Sequence, residues 1–121
     1  MLCEMCGREY AELHHIQFRS QVPALVNSKI NHIYLCPYHH RSHAGVHGRD
    51  GHQLDKKLKL EFQNKLEILF DKEYLSKEEI NQVFNISERC LNRLLKVLNT
   101  KDGLYNREDV IRAACGGRLI I

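Results

Sequence analysis

All eight histidines of this 121-residue chain lie between residues 14 and 52, and three of its five cysteines lie in or beside the same stretch. Cysteine and imidazole side chains are the usual protein ligands of zinc, and imidazole also binds other divalent transition metals. A chain of this length can form one ordinary domain or two small ones. Small domains bury too little apolar surface to be secure without a further stabilising element, which a structural metal supplies. The N-terminal half is therefore predicted to fold around metal.

Four of these residues form two pairs of equal spacing, Cys3 with Cys6 and Cys36 with His39. This spacing brings both members of a pair to one side of a tight turn or of a helix start. Four cysteine and histidine ligands in two such pairs are typical of a closed structural zinc site. If the thiols were ordinary buried side chains, their matched partners three residues away would have no explanation. The sequence thus predicts a structural Zn²⁺ held by these four residues.

Composition limits the class of protein. A hydrophobic fraction of 43% indicates a folded chain, and no apolar run is long enough to span a membrane. The formal net charge of +3 does not by itself indicate nucleic acid as a partner. Because the N-terminus lacks the basic and apolar regions of a signal peptide, we expect a reducing cytoplasm, where a Cys-x-x-Cys pair indicates metal or redox chemistry. Cys90 and Cys115 lie in apolar helical patterns and are predicted to be buried thiols.

Local patterns predict a small α+β protein in three segments. Residues 1–53 are predicted to contain two strands, at about 10–15 and 31–36, separated by an irregular loop and followed by a short helix from Pro37 to the glycines near 45–48. An amphipathic linking helix is predicted within residues 54–75. Residues 76–121 are predicted to hold three capped helices, at about 76–84, 87–98 and 106–114, with a tight turn at Asp102-Gly103.

The directions of the remaining histidine side chains limit which of them can bind the same ion. If residues 38–47 were helical, the adjacent His39 and His40 would diverge by about 100° and could not serve one ion. His40, His43 and His47 would then share one face. Likewise, consecutive strand residues point to opposite faces, so only one of the pair at 14 and 15 would ligate. A ligating imidazole beside a free one is the pattern expected of metal-assisted hydrolysis.

The order His14-His15-Ile16, then Asn31-x4-Cys36-x2-His39-His40, resembles the HNH nuclease family, in the branch whose ββα-metal fold carries a structural zinc. The segment from His40 to Gly48 is also similar to short HNH proteins of phages and prophages. The resemblance covers about the first 50 residues. This chain departs from the family at His39, which replaces the usual fourth cysteine but is itself a normal zinc ligand.

The resemblance implies roles for the residues of this chain that match the family's pattern. His15 would be the general base that activates water, with Asn31 orienting it through its side-chain amide. His14 and His40 would hold a catalytic divalent ion such as Mg²⁺, Mn²⁺ or Ni²⁺.

Two further roles follow from the same resemblance. The family's next metal ligand would fall at Ala44, which cannot ligate, so His43 or His47 is expected to supply it. Arg41 is a candidate contact to the phosphate of the substrate. His32 and His52 have no counterpart and are predicted to be surface or packing residues.

Residues 85–96 resemble the second helix of a helix-turn-helix, and the preceding helix would be the first. One face of the second helix carries Arg89, Asn92, Arg93 and Lys96, side chains suited to base edges and phosphates of DNA. The hairpin at 101–105 and the last helix look like the wing and final helix of excisionase-like winged domains. A plain helical module that packs or dimerises, with a merely solvated polar face, stays the alternative.

The expected function is that of a phage- or prophage-encoded, metal-dependent HNH endonuclease that cleaves DNA in the cytoplasm of a bacterial host. One alternative is a catalytically inactive, zinc-containing DNA-binding or regulatory protein on the same skeleton. Another is a protein that uses its helical half to bind a host or phage protein. Cleavage of paired strands would suggest a homodimer.

Overall fold

The computed structural model describes residues 1–121 and has an α+β architecture with two small antiparallel sheets and five α-helices. The elements in chain order are β1 (Glu12–His15), β2 (His32–Leu35), α1 (Pro37–His40), α2 (His52–Leu69), β3 (Tyr74–Leu75), α3 (Lys77–Phe84), α4 (Glu88–Leu95), β4 (Thr100–Lys101), β5 (Leu104–Asn106) and α5 (Arg107–Ala114). None of the helices combines the length and apolar character needed to cross a bilayer.

The N-terminal sheet is an antiparallel pair of β1 and β2 in which His14 lies opposite Ile33 and His15 opposite His32. The connecting loop, residues 17–31, contains two 3-10 turns, Pro23–Leu25 and Lys29–Asn31. It is more ordered than the irregular loop that the sequence predicts, because its apolar residues enter the core: Val22, Ala24 and Leu25 are buried.

The chain after α1 forms a tight spiral, residues 41–51, in place of the longer predicted helix. α1 ends at His40, and the spiral continues as successive turns. The backbone N–H of His47 donates to the carbonyl of His40 at 3.1 Å, so the chain returns beside the end of α1 after seven residues. The spiral requires glycine, since a Cβ at Gly48 would lie 2.1 Å from the carbonyl oxygen of Ser42.

The C-terminal helices follow the predicted caps. Ser76 and Glu79 form the capping box of α3, and the Ser87 hydroxyl accepts from the backbone N–H of Cys90 at the start of α4. Asn106 caps α5. α4 ends at Leu95, earlier than the predicted 98.

The second sheet contains a strand that the sequence analysis did not predict. β3 pairs with β5, and β5 pairs with β4, in the order β3-β5-β4. β3 has only two residues, too few to show an alternating pattern. It joins the start of the helical segment to the hairpin between α4 and α5.

A single cluster of 22 buried apolar residues draws on all three predicted segments. α4 packs against the 3-10 turn at Pro23–Leu25, and the Ser28 hydroxyl donates to the Phe84 carbonyl at 2.7 Å in a buried hydrogen bond. Cys90 and Cys115 are partly buried and pack against this cluster, so their predicted burial is only partial.

Two polar side chains, Gln63 of α2 and Arg107 of α5, tie α2 to the C-terminal part of the chain. The Gln63 carboxamide accepts from the backbone N–H of Ile120 at 2.8 Å and donates to the carbonyl of the same residue at 2.9 Å. The Arg107 guanidinium donates to the carbonyls of Glu67 and Phe70 at the C-terminal end of α2. These carbonyls have no partner within the helix, so the arginine satisfies them and binds α5 to α2.

We predict that Ser28→Ala lowers the free energy of unfolding by about 1–3 kcal/mol, because it leaves the buried Phe84 carbonyl without its donor. Urea denaturation of the zinc-loaded protein measures this. Ser42→Ala is the matched control, since the Ser42 hydroxyl also donates to a carbonyl, that of Tyr38, but at an exposed position. We expect the control to change stability by about 0.5 kcal/mol or less. If the two substitutions lowered the free energy of unfolding equally, the buried Ser28–Phe84 bond would hold the two halves together no more strongly than an exposed bond does.

Candidate metal centres

The two predicted ligand pairs converge into one four-residue cluster of Cys3, Cys6, Cys36 and His39. The Cys6 and Cys36 sulfurs are 3.7 Å apart, and His39 Nδ1 lies 3.6 Å from the sulfur of Cys3 and 3.3 Å from that of Cys36. A tetrahedral zinc, with bonds of about 2.3 Å to sulfur and about 2.0–2.1 Å to nitrogen, spaces its ligand atoms by roughly 3.5–3.8 Å. The cluster therefore matches the geometry of a structural zinc site.

Backbone geometry favours the thiolate that zinc requires. Burial alone would raise the pKa of the Cys3 thiol, but hydrogen bonds from the backbones of Cys36, Met5 and Cys6 outweigh this and lower the pKa to about 6. Deprotonated sulfur is the form that binds metal. Cys36 itself stands at the N-cap of α1, directly before Pro37, which places His39 one turn further into the helix.

A second cluster consists of three imidazoles, those of His14, His40 and His47, from β1, α1 and the tight spiral. Their ring centroids are 5.1, 5.0 and 4.8 Å apart, and one possible ligand nitrogen of each lies within 4.8 Å of the other two. The predicted shared helix face is wrong, because α1 ends at His40. Both candidates for the further ligand are exposed, but the tight spiral brings His47 into the cluster and leaves His43 outside it.

His14 has the properties of a metal ligand. Its side chain is 2% exposed, yet Nε2 has no hydrogen-bond partner. Burial, reinforced by the neighbouring His47 and His40, lowers its pKa to about 3, so the ring is neutral at physiological pH. Buried polar atoms are rarely left unpaired, and a neutral imidazole nitrogen is a common metal ligand. The three-histidine cluster is thus suited to a divalent transition metal.

Glu12, which the sequence analysis missed, holds His40 in place. Its Oε1 accepts from His40 Nδ1 at 3.0 Å, and its Oε2 pairs with Arg41 at 2.9 Å. The hydrogen bond from His40, followed by the charge of Arg41, lowers the pKa of Glu12 although some burial opposes it. With Nδ1 protonated, Nε2 of His40 is left as the ligand atom. The strand alternation that places residues 12 and 14 on one face was the available signal.

His15 is free of the cluster but borders the same pocket. The pocket, about 540 Å³, is lined by Leu13, His14, His15, Phe18, Arg19, Ser20, His40 and His47. His15 Nε2 donates to the Val26 carbonyl at 2.9 Å, and His32 Nε2 donates to the same oxygen at 2.8 Å. This bond fixes the tautomer of His15 and leaves Nδ1 as a proton acceptor. Burial lowers the pKa of His15, which keeps the ring neutral.

The Asn31 side chain makes no hydrogen bond to His15, so the predicted bond between its amide and that ring is wrong. The amide is fully buried and faces the loop: Oδ1 accepts from the Gln17 N–H at 2.7 Å, and Nδ2 donates to the carbonyls of Gln17 and Leu25 at 3.1 and 3.3 Å. Asn31 instead holds the chain that leaves β1 just after His15. The Val26 carbonyl, rather than the Asn31 amide, orients His15. His32, predicted to be a surface or packing residue, donates to the same carbonyl.

The predicted DNA-contacting side chains of the helical half lie on one surface. Arg89, Asn92 and Arg93 of α4, and Lys96 directly after its end, are all exposed, opposite the buried Leu91, Leu94 and Leu95. Lys77 of α3 donates to Asn92 Oδ1 and so orients that amide. Arg41 lies elsewhere, beside the three-histidine cluster, where its guanidinium is largely exposed although paired with Glu12.

No protein-family model matches the sequence, and no match was found among curated proteins or solved structures. The chemistry of the two clusters is therefore the basis for assigning a function.

We predict that Cys36→Ser loses zinc and unfolds the N-terminal half. Structural zinc contributes about 10–16 kcal/mol of apparent binding free energy in small domains, far more than a hairpin of this size can replace. Metal analysis by atomic emission and thermal denaturation measure both effects. Cys90→Ser is the matched control and should retain the metal, because Cys90 lies outside the cluster. Full zinc content in Cys36→Ser would contradict the assignment.

Proposed function

We propose that this chain is a metal-dependent endonuclease of the HNH type that hydrolyses phosphodiester bonds of DNA. One observation carries the proposal: three imidazoles converge beside a fourth, His15, whose tautomer is fixed and whose Nδ1 is free. The unpaired buried Nε2 of His14 supports it, since a histidine with a purely structural role would have a partner there. The order β1, β2 and α1, with ligands from β1 and the end of α1, supports the ββα-metal assignment.

The mechanism assigns a separate task to each group. A divalent ion bound by His14, His40 and His47 would supply Lewis-acid stabilisation of the charge on the scissile phosphate and leaving oxygen. Glu12 orients His40. His15 Nδ1 accepts the proton of the attacking water, while its Nε2–H remains bonded to the Val26 carbonyl.

The surroundings of His15 keep its imidazole unprotonated. Because burial lowers the pKa of His15, the imidazole is unprotonated at neutral pH and can take a proton. Arg19, at the rim of the same pocket, offers a cation to a neighbouring phosphate of the substrate. Asn31 contributes indirectly, by fixing the backbone that follows His15.

The helical half is proposed to place the nuclease on duplex DNA. α3 and α4 are joined by a short turn in which Asn85 adopts a left-handed conformation, with φ of 50°. The exposed arginines, asparagine and lysine of α4 would face the major groove, and the β4–β5 hairpin would act as a wing. A zinc-containing DNA-binding regulator without turnover would use the same surface, so cleavage assays must separate the two functions.

We predict that His15→Ala lowers the rate at which supercoiled plasmid is nicked by about 10²–10⁴-fold, because no other group accepts the proton of water. The assay compares Mg²⁺, Mn²⁺, Ni²⁺ and a chelator, with zinc content and folding measured in parallel. His32→Ala is the matched control, since it removes the other imidazole bonded to Val26 and should retain most activity. Nicking by His15→Ala at the wild-type rate would exclude His15 as the base. Inactivity of the wild type with every ion would favour the regulator.

We predict that Arg93→Ala weakens binding to duplex DNA by about 1–3 kcal/mol if Arg93 reads a base edge, and reduces the salt dependence if it contacts a phosphate. Fluorescence anisotropy at several salt concentrations distinguishes these cases. Arg112→Ala is the control, because Arg112 is exposed on α5 but paired with Glu108. Zinc content should be unchanged in both variants. If the two variants bind DNA equally well, α4 does not contact DNA through Arg93.

A further inference from the structure

The three-histidine cluster has an asymmetry in how its members are supported. A metal-bound histidine almost always donates its second ring N–H to a carboxylate or a carbonyl, which fixes its orientation. His40 has such a partner in Glu12. The ring of His47 makes no hydrogen bond within the protein, although it packs against His14, His40 and Phe18. A carboxylate near His47 with a free oxygen would complete the site.

Asp55, in the first turn of α2, has such an oxygen. Its Oδ2 is paired with the Lys59 ammonium at 3.1 Å, whereas its Oδ1 is buried and has no hydrogen-bond partner. An unpaired buried carboxylate oxygen is costly, so a donor is expected to reach it in the working protein. The favourable position of an acidic residue in a first helical turn, and the ion pair with Lys59, account for Oδ2 but not for Oδ1.

Asp55 and Lys59 lie against the side of the pocket on which His47 stands. The Lys59 ammonium is 3.8 Å from the centroid of the Phe18 ring, and that ring is 5.2 Å from the His47 ring. Burial lowers the pKa of His47, and the neighbouring His40 lowers it further, while the charge of Asp55 acts in the opposite direction. Asp55 is thus linked to the His47 side of the pocket through the Lys59 ammonium and the Phe18 ring.

We propose that Asp55 is a positioning residue for His47: its free Oδ1 accepts the second N–H of the imidazole when His47 binds the divalent ion. Asp55 would then orient His47 of the tight spiral as Glu12 orients His40 of α1. It would also couple α2 to the metal site. The inference rests on the proposed function of the three-histidine cluster, because without a metal ion His47 has no need of a fixed tautomer.

Calorimetric titration of the full-length, zinc-loaded protein with Ni²⁺ tests this. Asp55→Ala is expected to raise the dissociation constant for Ni²⁺ by about 10–100-fold. Asp55→Asn retains an acceptor oxygen and should recover most of the affinity. Glu61→Ala, an exposed acidic position on the same helix, should bind as the wild type does. Zinc retention is checked in every variant by metal analysis.

Rescue by asparagine separates positioning from a structural role. If Asp55→Ala bound Ni²⁺ as tightly as the wild type, or if Asp55→Asn were as weak as Asp55→Ala, the inference would be overturned. Should Asp55→Ala fail to fold, the near-isosteric asparagine variant decides, with an affinity more than tenfold below wild type counting against it.

His47→Ala distinguishes this failure from that of the proposed function. If His47→Ala also bound Ni²⁺ like the wild type, the three-histidine cluster would not be the metal centre, and the proposed function would fall with it. If His47→Ala lost Ni²⁺ while Asp55→Ala did not, the metal centre would stand and only the role of Asp55 would be wrong.

Discussion

The split between His39 and His40 is the constraint on which the rest of the N-terminal half depends. Two neighbouring imidazoles at the end of one short helical turn point to different clusters, because successive residues of a helix diverge by about 100°. A zinc ion bound by Cys3, Cys6, Cys36 and His39 would hold α1 against the Cys3–Cys6 turn through His39. It would thereby set the direction of His40, so that a structural metal would orient a member of the second cluster. A four-residue helix could not hold that geometry alone, since isolated helical turns are unstable in water.

The second cluster depends on rigidity from several separate sources. His14 is fixed by burial within the strand pair and His40 by Glu12 and α1, whereas only the backbone of His47 is held, by the hydrogen bonds of the tight spiral. Each source acts before a metal arrives, which lowers the entropy lost on binding. Gly48 is needed for this geometry, because any side chain there would collide with the backbone of Ser42 and displace His47.

Sequence analysis succeeded where the determining interactions are local. The cluster of Cys3, Cys6, Cys36 and His39 follows from a three-residue spacing. The caps at Ser76, Ser87 and Asn106 follow from hydrogen bonds within one turn. It failed where distant segments decide. The choice of His47 over His43 depends on a seven-residue return stabilised by close backbone packing, which has no periodic signature. The direction of the Asn31 amide likewise depends on a loop that folds back on itself. Strand alternation could have identified Glu12, since it stands two residues before His14.

The loop of residues 17–31 unites the proposed base with the helical half. It carries Val26, whose carbonyl fixes the tautomer of His15, and Ser28, whose hydroxyl binds the end of α3. Its 3-10 turn at Pro23–Leu25 is also the surface against which α4 packs. A rigid-body shift of α3 and α4 relative to the N-terminal sheet would therefore strain the segment that holds His15. The two halves pack as one unit with a shared core rather than as two independent modules joined by a helix.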